Sequence, residues 1–300
     1  MNFEEFNDDP IIREELFGGT REEISTQPIS ESSKNDCYLL QGPSSAFVLK
    51  RSPKYALKES KVYQLMKKYS LGNTLNLVFS GDDFFVTEYN PDLEPCKDFS
   101  SLIRELSRLH VRGLEVSLES SQESLDPDLK NNNRRKAISR VRRHPDLVSK
   151  YYRGVDGLVD YMLSVETLIS NQRRVFVHGD VRPSNLCKDS NGGFVYMDFE
   201  LGVIDFPSWD LARAIFGVDL DVTKQMIEKY ISSFGEMVKE REIGIVVDED
   251  LLRNQICADF VFKFTGVGIG VQQHPYFKDH VPRYLSGINV ILKDIIENGI

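Results

Sequence analysis

The sequence predicts an α+β chain in two lobes, a small antiparallel sheet followed by a larger, mainly helical body. Three observations carry this. Short runs of strand character separated by turn residues fill most of the first 90 residues. The prolyl segment Asn90-Pro91-Asp92-Leu93-Glu94-Pro95 then breaks the pattern and reads as a hinge. Beyond it, apolar residues recur at helical spacing in several stretches. The lobes are therefore expected at residues 1–90 and 91–300.

Residues 1–20 are acidic, contain Gly18-Gly19, and read as a loosely attached extension or a short helix. Glu23 to Ile29, Cys37 to Gln41 and Ala46 to Lys50 read as strands, the last two joined by Gly42-Pro43-Ser44-Ser45. Val62, Leu65, Met66 and Tyr69 then share one face of a helix. Leu75 to Phe79 and Asp83 to Glu88 return to strand character around Ser80-Gly81-Asp82. After the hinge, Leu102, Ile103, Leu106 and Leu109 form an apolar face, with Ser100 or Ser101 as its cap. Leu158, Met162, Val165, Leu168 and Ile169 form a second face, and Ile227, Tyr230, Ile231 and Phe234 a third. Tyr284 to Ile296 reads as a closing helix. These stripes are core, and they bear on architecture alone.

Composition narrows the class further. At 300 residues, with 41% hydrophobic and 28% charged residues, the chain has ample material for a core. The acidic start Met1 to Pro10 lacks the basic and apolar regions of a secretory signal. No apolar run approaches the ~18 residues of a membrane span. The cysteines at 37, 96, 187 and 257 are scattered, without a metal-binding or disulfide pattern, and point to reduced thiols in a cytoplasmic protein. A net charge of −9 disfavours non-specific nucleic acid binding. One segment runs against this balance: Lys130, Arg134, Arg135, Lys136, Arg140, Arg142 and Arg143 carry no acid among them. It reads either as a solvated helix face or loop, or as a patch for an anionic substrate or partner.

The chemistry concentrates in Val175-Phe176-Val177-His178-Gly179-Asp180-Val181-Arg182-Pro183-Ser184-Asn185 and the later Val195-Tyr196-Met197-Asp198-Phe199-Glu200. Asp180 follows an apolar run, and Asn185 opens the strand Leu186-Cys187-Lys188. Asp189-Ser190-Asn191-Gly192-Gly193 is the turn after it, and Asn-Gly is the strongest short signal for a two-residue type I′ hairpin. A turn centred there sets Asn185 opposite Asp198, with β-carbons roughly 5 Å apart. A longer turn shifts that pairing by one residue. An amide oxygen beside a carboxylate suits one hard cation, and Mg²⁺ binds through few protein oxygens plus substrate phosphates.

The same residues resemble the catalytic set of protein kinases: an Asp, an Asn five residues on, and a later Asp-Phe. Gly179 stands where a protein kinase has Arg, and Glu200 where it has Gly. Those differences, with Leu106-Ser107-Arg108-Leu109-His110 and Trp209-Asp210-Leu211-Ala212, make the chain similar to the aminoglycoside phosphotransferase and choline kinase-like family. The resemblance spans roughly residues 25–290 and is most specific over 176–213. It implies a two-lobed protein kinase-like fold and an ATP- or GTP-dependent transfer to a hydroxyl of a small molecule, such as an aminoglycoside or another amino or sugar alcohol. A protein substrate is disfavoured, because only residues 199–209 separate Asp198 from Asp210 and no Ala-Pro-Glu follows.

The resemblance also implies roles. Asp180 orients or accepts the proton of the acceptor hydroxyl, while Asn185 and Asp198 hold Mg²⁺. His178 braces the loop and Asp210 accepts its backbone amides. Lys50, ending its strand, pairs with Glu59 and holds the nucleotide phosphates. Ser33 and Asn35 lie in the loop Ser30 to Asp36, where relatives cover the phosphates; it has no glycine, which leaves a nucleotide-binding pseudokinase or scaffold as the alternative. Adenine packs against main-chain groups near Glu88 and Asn90. Arg182 either touches phosphate or pairs with an acid, and Cys187 packs within the hairpin. The acceptor's charge is left open: residues 201–300 carry a net −5, and the basic run points the other way.

Overall fold

A computed structural model of the chain describes residues 14, 16–17, 24–31, 36–119, 137–146, 157–158, 160–162, 164, 174–215, 218–271 and 281–298. The fold is α+β and protein kinase-like, and the chain divides into two compact units. The first joins Met1–Pro95 to Ser184–Leu201, and the second joins Cys96–Pro183 to Gly202–Ile300. This division departs from a single break at residue 90, for a reason visible in the strand pairing.

In chain order the first unit opens with β1 (Ser25–Glu31), β2 (Asp36–Gln41) and β3 (Ala46–Arg51). Helix α1 (Ala56–Lys68) follows, then β4 (Asn73–Thr74), β5 (Leu77–Ser80), β6 (Phe84–Glu88) and β7 (Glu94–Pro95). The second unit supplies α2 (Phe99–Glu119) and β8 (Val175–Val177). The hairpin β9 (Leu186–Lys188) and β10 (Phe194–Tyr196) returns to the first. Strand β11 (Val203–Asp205) and helices α3 (Ser208–Ala214), α4 (Leu220–Glu240), α5 (Glu249–Val271) and α6 (Val281–Asn298) complete the second.

Five strands of the first unit form an antiparallel sheet in the order β1-β2-β3-β6-β5. Pro28 lies on the edge strand β1, beside a register shift, where a missing N–H costs no central ladder bond. Leu40, Phe47, Leu49 and Val86 make the core of this sheet with Leu16, and Phe17 meets Phe47 edge-on at 5.3 Å. Helix α1 buries Val62, Tyr63, Leu65 and Met66. A second sheet runs β4-β10-β9-β7. Its outer strands have two residues each, and among the described residues their partners are the strands of the β9–β10 hairpin. That pairing draws Ser184–Leu201 into the first unit and carries the unit on to Pro95.

In the second unit, Leu102, Ile103, Leu106 and Leu109 of α2 are fully buried. Each such side chain contributes about 1.5–3 kcal/mol relative to exposure. The cap of α2 is Asp98, whose carboxylate accepts the Ser100 and Ser101 backbone amides at 3.0 and 3.2 Å. Ser100 and Ser101 are inside the helix, because Asp98 reaches the orphan amides first. Helix α2 packs on β8 and α4, and α5 packs on α3. Gly113 makes the first contact possible: a β-carbon there would sit 2.7 Å from the Phe176 backbone nitrogen. Strand β8 pairs antiparallel with β11.

Leu158 and Met162 are buried, whereas Val165, Leu168 and Ile169 lie outside the described residues. In the basic run, Lys130, Arg134, Arg135 and Lys136 also lie outside them. Arg140, Arg142 and Arg143 are exposed on a helical stretch that buries Ala137, Ile138 and Val141. The four cysteines are thiols. Among the described residues no helix is long and apolar enough to cross a membrane.

Gly113→Val drives a side chain into the Phe176 backbone, and overpacking of this kind costs about 1–3 kcal/mol. Chemical denaturation is expected to show that loss. An unchanged midpoint would contradict the close approach of α2 and β8.

Candidate active site

The first unit gathers its charged groups around Lys50. Lys50 lies opposite Phe85 of β6 and Cys37 of β2, near the end of β3, and its side chain is 11% exposed. Its Nζ donates to Glu59 Oε2 at 2.7 Å and to Asp198 Oδ1 at 2.6 Å. Burial alone would lower the ammonium's pKa, but the Glu59 and Asp198 carboxylates outweigh it and the net shift is upward. Burial pushes the Glu59 carboxyl up to about 7, with Lys50 pulling it back and Asp198 adding to the rise. Glu59 uses its second oxygen as well, accepting the Phe199 amide at 3.0 Å. Phe199 packs edge-on against Tyr63 at 5.0 Å. One glutamate on α1 thus fixes both the lysine and the Asp198-Phe199 segment.

The hairpin register corrects the sequence expectation. Phe194, Val195 and Tyr196 pair with Lys188, Cys187 and Leu186, and the Met197 amide donates to the Asn185 carbonyl at 2.9 Å. Asn185 therefore faces Met197, and Asp198 lies one residue past that rung. The reason lies in the turn. Asp189 closes it by donating to the Gly193 carbonyl at 2.9 Å, and its carboxylate accepts the Asn191 and Gly193 amides. Three residues, Ser190-Asn191-Gly192, then form the loop, with Gly192 at φ 78°. This is the three-residue hairpin whose last position is left-handed, in place of the two-residue type. Asp198 itself has φ 61°, a left-handed conformation that Asp tolerates better than most side chains. Leaving the ladder in this way takes it to Lys50. Asn185 is 5% exposed and its Oδ1 accepts the Ser184 hydroxyl at 3.2 Å.

Glu88 ends β6, with its amide bonded to the Asn76 carbonyl and its carboxylate to the Asn76 side chain. Asn90 follows, its side chain accepting the Asp92 amide at 3.0 Å. Ser33 and Asn35 lie outside the described residues.

The second unit builds around Asp210, which is fully buried on the short helix α3. Its Oδ2 accepts the His178 amide and its Oδ1 the Gly179 amide, both at 2.6 Å. His110 Nε2 lies 3.2 Å from Oδ2, and His110 Nδ1 lies 2.7 Å from the Tyr230 hydroxyl. His110 thus bridges the Asp210 carboxylate and the Tyr230 hydroxyl through its two ring nitrogens, Nε2 donating to Asp210. Burial holds the Tyr230 hydroxyl well above its ordinary pKa, and Asp210 adds to that, so it stays a donor. His178 Nδ1 accepts the Asp180 amide at 3.3 Å, and Gly179 has φ 90°. Arg213 Nε donates to Asp180 Oδ1 at 2.5 Å, and Arg182 Nε lies 3.3 Å from Oδ2.

Sequence reasoning passed over two of these groups. Tyr230 looks like one more apolar residue in a helical stripe, and periodicity says nothing about its hydroxyl. Arg213 follows directly on Trp209-Asp210-Leu211-Ala212 and shares a face with Asp210 at i, i+3, which is the signal that marks it.

Comparison with known proteins agrees with this architecture. Residues 25–242 match the phosphotransferase enzyme family, and the chain belongs to it. By family it is an enzyme, a small-molecule phosphotransferase. Among solved structures it resembles choline kinase from Cryptosporidium parvum, at 14% identity and a TM-score of 0.63, over 96% of this chain and 95% of that one. A putative aminoglycoside phosphotransferase from Ralstonia eutropha gives 14% identity and 0.63 over 94% of each chain. Spectinomycin phosphotransferase in complex with ADP and spectinomycin gives 12% and 0.59, over 94% of this chain and 96% of that one. At such identities the likeness establishes the fold. Sequence comparison with curated proteins finds no match.

Asp210→Ala leaves two amides and an imidazole without their acceptor, and unmet buried donors cost about 1–3 kcal/mol each. Tyr230→Phe removes one hydrogen bond, worth about 1 kcal/mol. Thermal unfolding is expected to rank Asp210→Ala well below Tyr230→Phe and both below the parent. Equal melting temperatures would contradict the Tyr230–His110–Asp210 chain.

Proposed function

We propose that this chain transfers the γ-phosphoryl group of ATP, or of GTP, to a hydroxyl of a small molecule of the amino- or sugar-alcohol kind. The observation that carries the reading is Lys50, a buried ammonium at hydrogen-bond distance from both Glu59 and Asp198. An ammonium has three N–H donors, and two of Lys50's meet these carboxylates. The third is directed, in this reading, to a nucleotide phosphate oxygen. In this reading main-chain groups at Glu88 to Asn90 receive adenine, and Ser33 and Asn35 are assigned to donate to the phosphates. The solved spectinomycin phosphotransferase complex with ADP supports an adenine nucleotide as donor.

The residues present suit a magnesium ion. Asp198 offers a carboxylate that is 34% exposed, and Asn185 an amide oxygen. Hard oxygen donors in this small number fit Mg²⁺, which keeps water and phosphate oxygens in its remaining positions. Among the described residues no cluster of three His, Cys, Asp or Glu stands ready to hold a metal alone. Asn185 and Asp198 would hold the ion, and when bound it neutralises charge on the transferred phosphoryl group.

Asp180 takes or orients the proton of the acceptor hydroxyl. His178 and Asp210 hold the Asp180 turn at its backbone, so the carboxylate is positioned before substrate arrives. Positioning and charge placement carry most of such a reaction, since the transition state is loose. The scattered thiols support a cytoplasmic setting.

Asp180→Ala is expected to lower phosphoryl transfer by roughly 10²–10⁴-fold, while Mg·ATP binding by titration calorimetry stays close to the parent. Lys50→Met is expected to weaken nucleotide binding itself. Full transfer activity in Asp180→Ala would refute the assignment.

A further inference from the structure

Helix α3 touches the Asp180 turn twice. Asp210, in its first turn, accepts the His178 and Gly179 amides, and Arg213, one turn further on, donates to Asp180 Oδ1. The helix itself has only seven residues, and Pro207 before it offers no capping side chain. A helix this short has few internal bonds to hold it, so packing against its neighbours decides where it sits.

The neighbour that supplies a directed bond is α5, which packs on α3. Ser208, the first residue of α3, is fully buried, and its hydroxyl donates to Asp259 Oδ2 at 2.5 Å across 51 residues of chain. Asp259 is fully buried as well. It is the only acidic or basic residue from Gln255 to Phe262, a stretch buried throughout. For stability alone an apolar side chain would serve here at least as well, because burying a carboxyl group is costly even when it is bonded. Apolar contact, however, has no preferred direction and lets a short helix slide or turn. A hydroxyl donating to a carboxylate fixes both distance and angle. Asp210 follows Ser208 by two residues, so any shift of that first turn passes straight to the amides of His178 and Gly179.

We infer that Asp259, acting through Ser208, is a positioning residue for phosphoryl transfer. Its bond sets the first turn of α3, α3 sets the backbone of residues 178 and 179, and that backbone aims Asp180. The inference rests on Asp180 being the reacting carboxylate. The Ser208 hydroxyl is the part to change, since Asp259 and Asp210 each make other contacts.

Two measurements on the full chain test it. Hydrogen exchange, followed residue by residue, reads the turn without any substrate. Ser208→Ala is expected to speed exchange at His178 and Gly179 by roughly tenfold, with the amides in the middle of α2 and α4 unchanged. The second measurement is labelled phosphoryl transfer from Mg·ATP to the best acceptor in a panel of amino alcohols, aminoglycosides, sugars and hydroxy acids. Ser208→Ala is expected to lower kcat by roughly tenfold and to leave KM for ATP within about twofold of the parent. In an Asp180→Ala background the same change is expected to cost nothing further, because the group being aimed is gone. A merely structural role would speed exchange everywhere and lower transfer equally in both backgrounds. Ser208→Cys keeps a weak donor at the same place and is expected to fall between serine and alanine in both measurements, which serves if the alanine variant does not fold. Unchanged exchange at His178 and Gly179, or equal losses in the two backgrounds, overturns this inference and leaves the kinase reading in place. Transfer to no member of the panel overturns the kinase reading and this role with it.

Discussion

One ammonium shared between two carboxylates organises the first unit. Lys50 is buried where β3 pairs with β6, and burial makes its bare charge costly. Glu59 and Asp198 offset that cost, one from the neighbouring helix and one from 148 residues further along the chain. By magnitude the gain is not mainly stability. Desolvating such charges costs several kcal/mol per ion, and the attraction regained is often of similar size. What the arrangement does supply is position. Glu59 also holds the Phe199 amide, and Phe199 is packed on Tyr63, so Asp198 is located by charge and by packing together.

The second unit solves the opposite problem, a buried anion, largely with backbone donors. Asp210 is met by two backbone amides and an imidazole whose far nitrogen is satisfied by Tyr230. The compensation is spread over three elements: the turn after β8, helix α2 and helix α4. The turn that carries Asp180 is thereby fixed at its backbone, and its side chain is left to be steered separately by Arg182 and Arg213. The two units thus hold their acidic groups by different means, a shared lysine in one and backbone amides with a histidine in the other.

How much of this is legible in the sequence depends on the range of the interaction. Strand β3 and the helix face of α1 announce themselves by periodicity, with Lys50 near the end of the one and Glu59 in the first turn of the other. The Asp180, Asn185 and Asp198 spacing is visible because those residues are close along the chain. The hairpin register is not, because Asp189 folds its side chain back onto two amides and lengthens the turn that Asn191-Gly192 advertises. Strands β4 and β7 escape notice since two residues carry no period. Helix α5 does so for another reason: residues 255–262 are buried without interruption, so no stripe exists to be read. Tyr230 and Arg213 differ again, in that their partners are 120 and 33 residues away.

The return of Ser184–Leu201 to the first unit has a bearing on synthesis. A growing polypeptide emerges in order, so the five-stranded sheet can assemble once β6 is out. Strands β4 and β7 must then remain without their neighbours until the ribosome has added a further hundred or so residues. Through that interval the ammonium of Lys50 has only one of its two carboxylates. A fragment cut after residue 95 would stay in that half-finished condition, which makes the small lobe dependent on chain as far as residue 201 and not a module that precedes it.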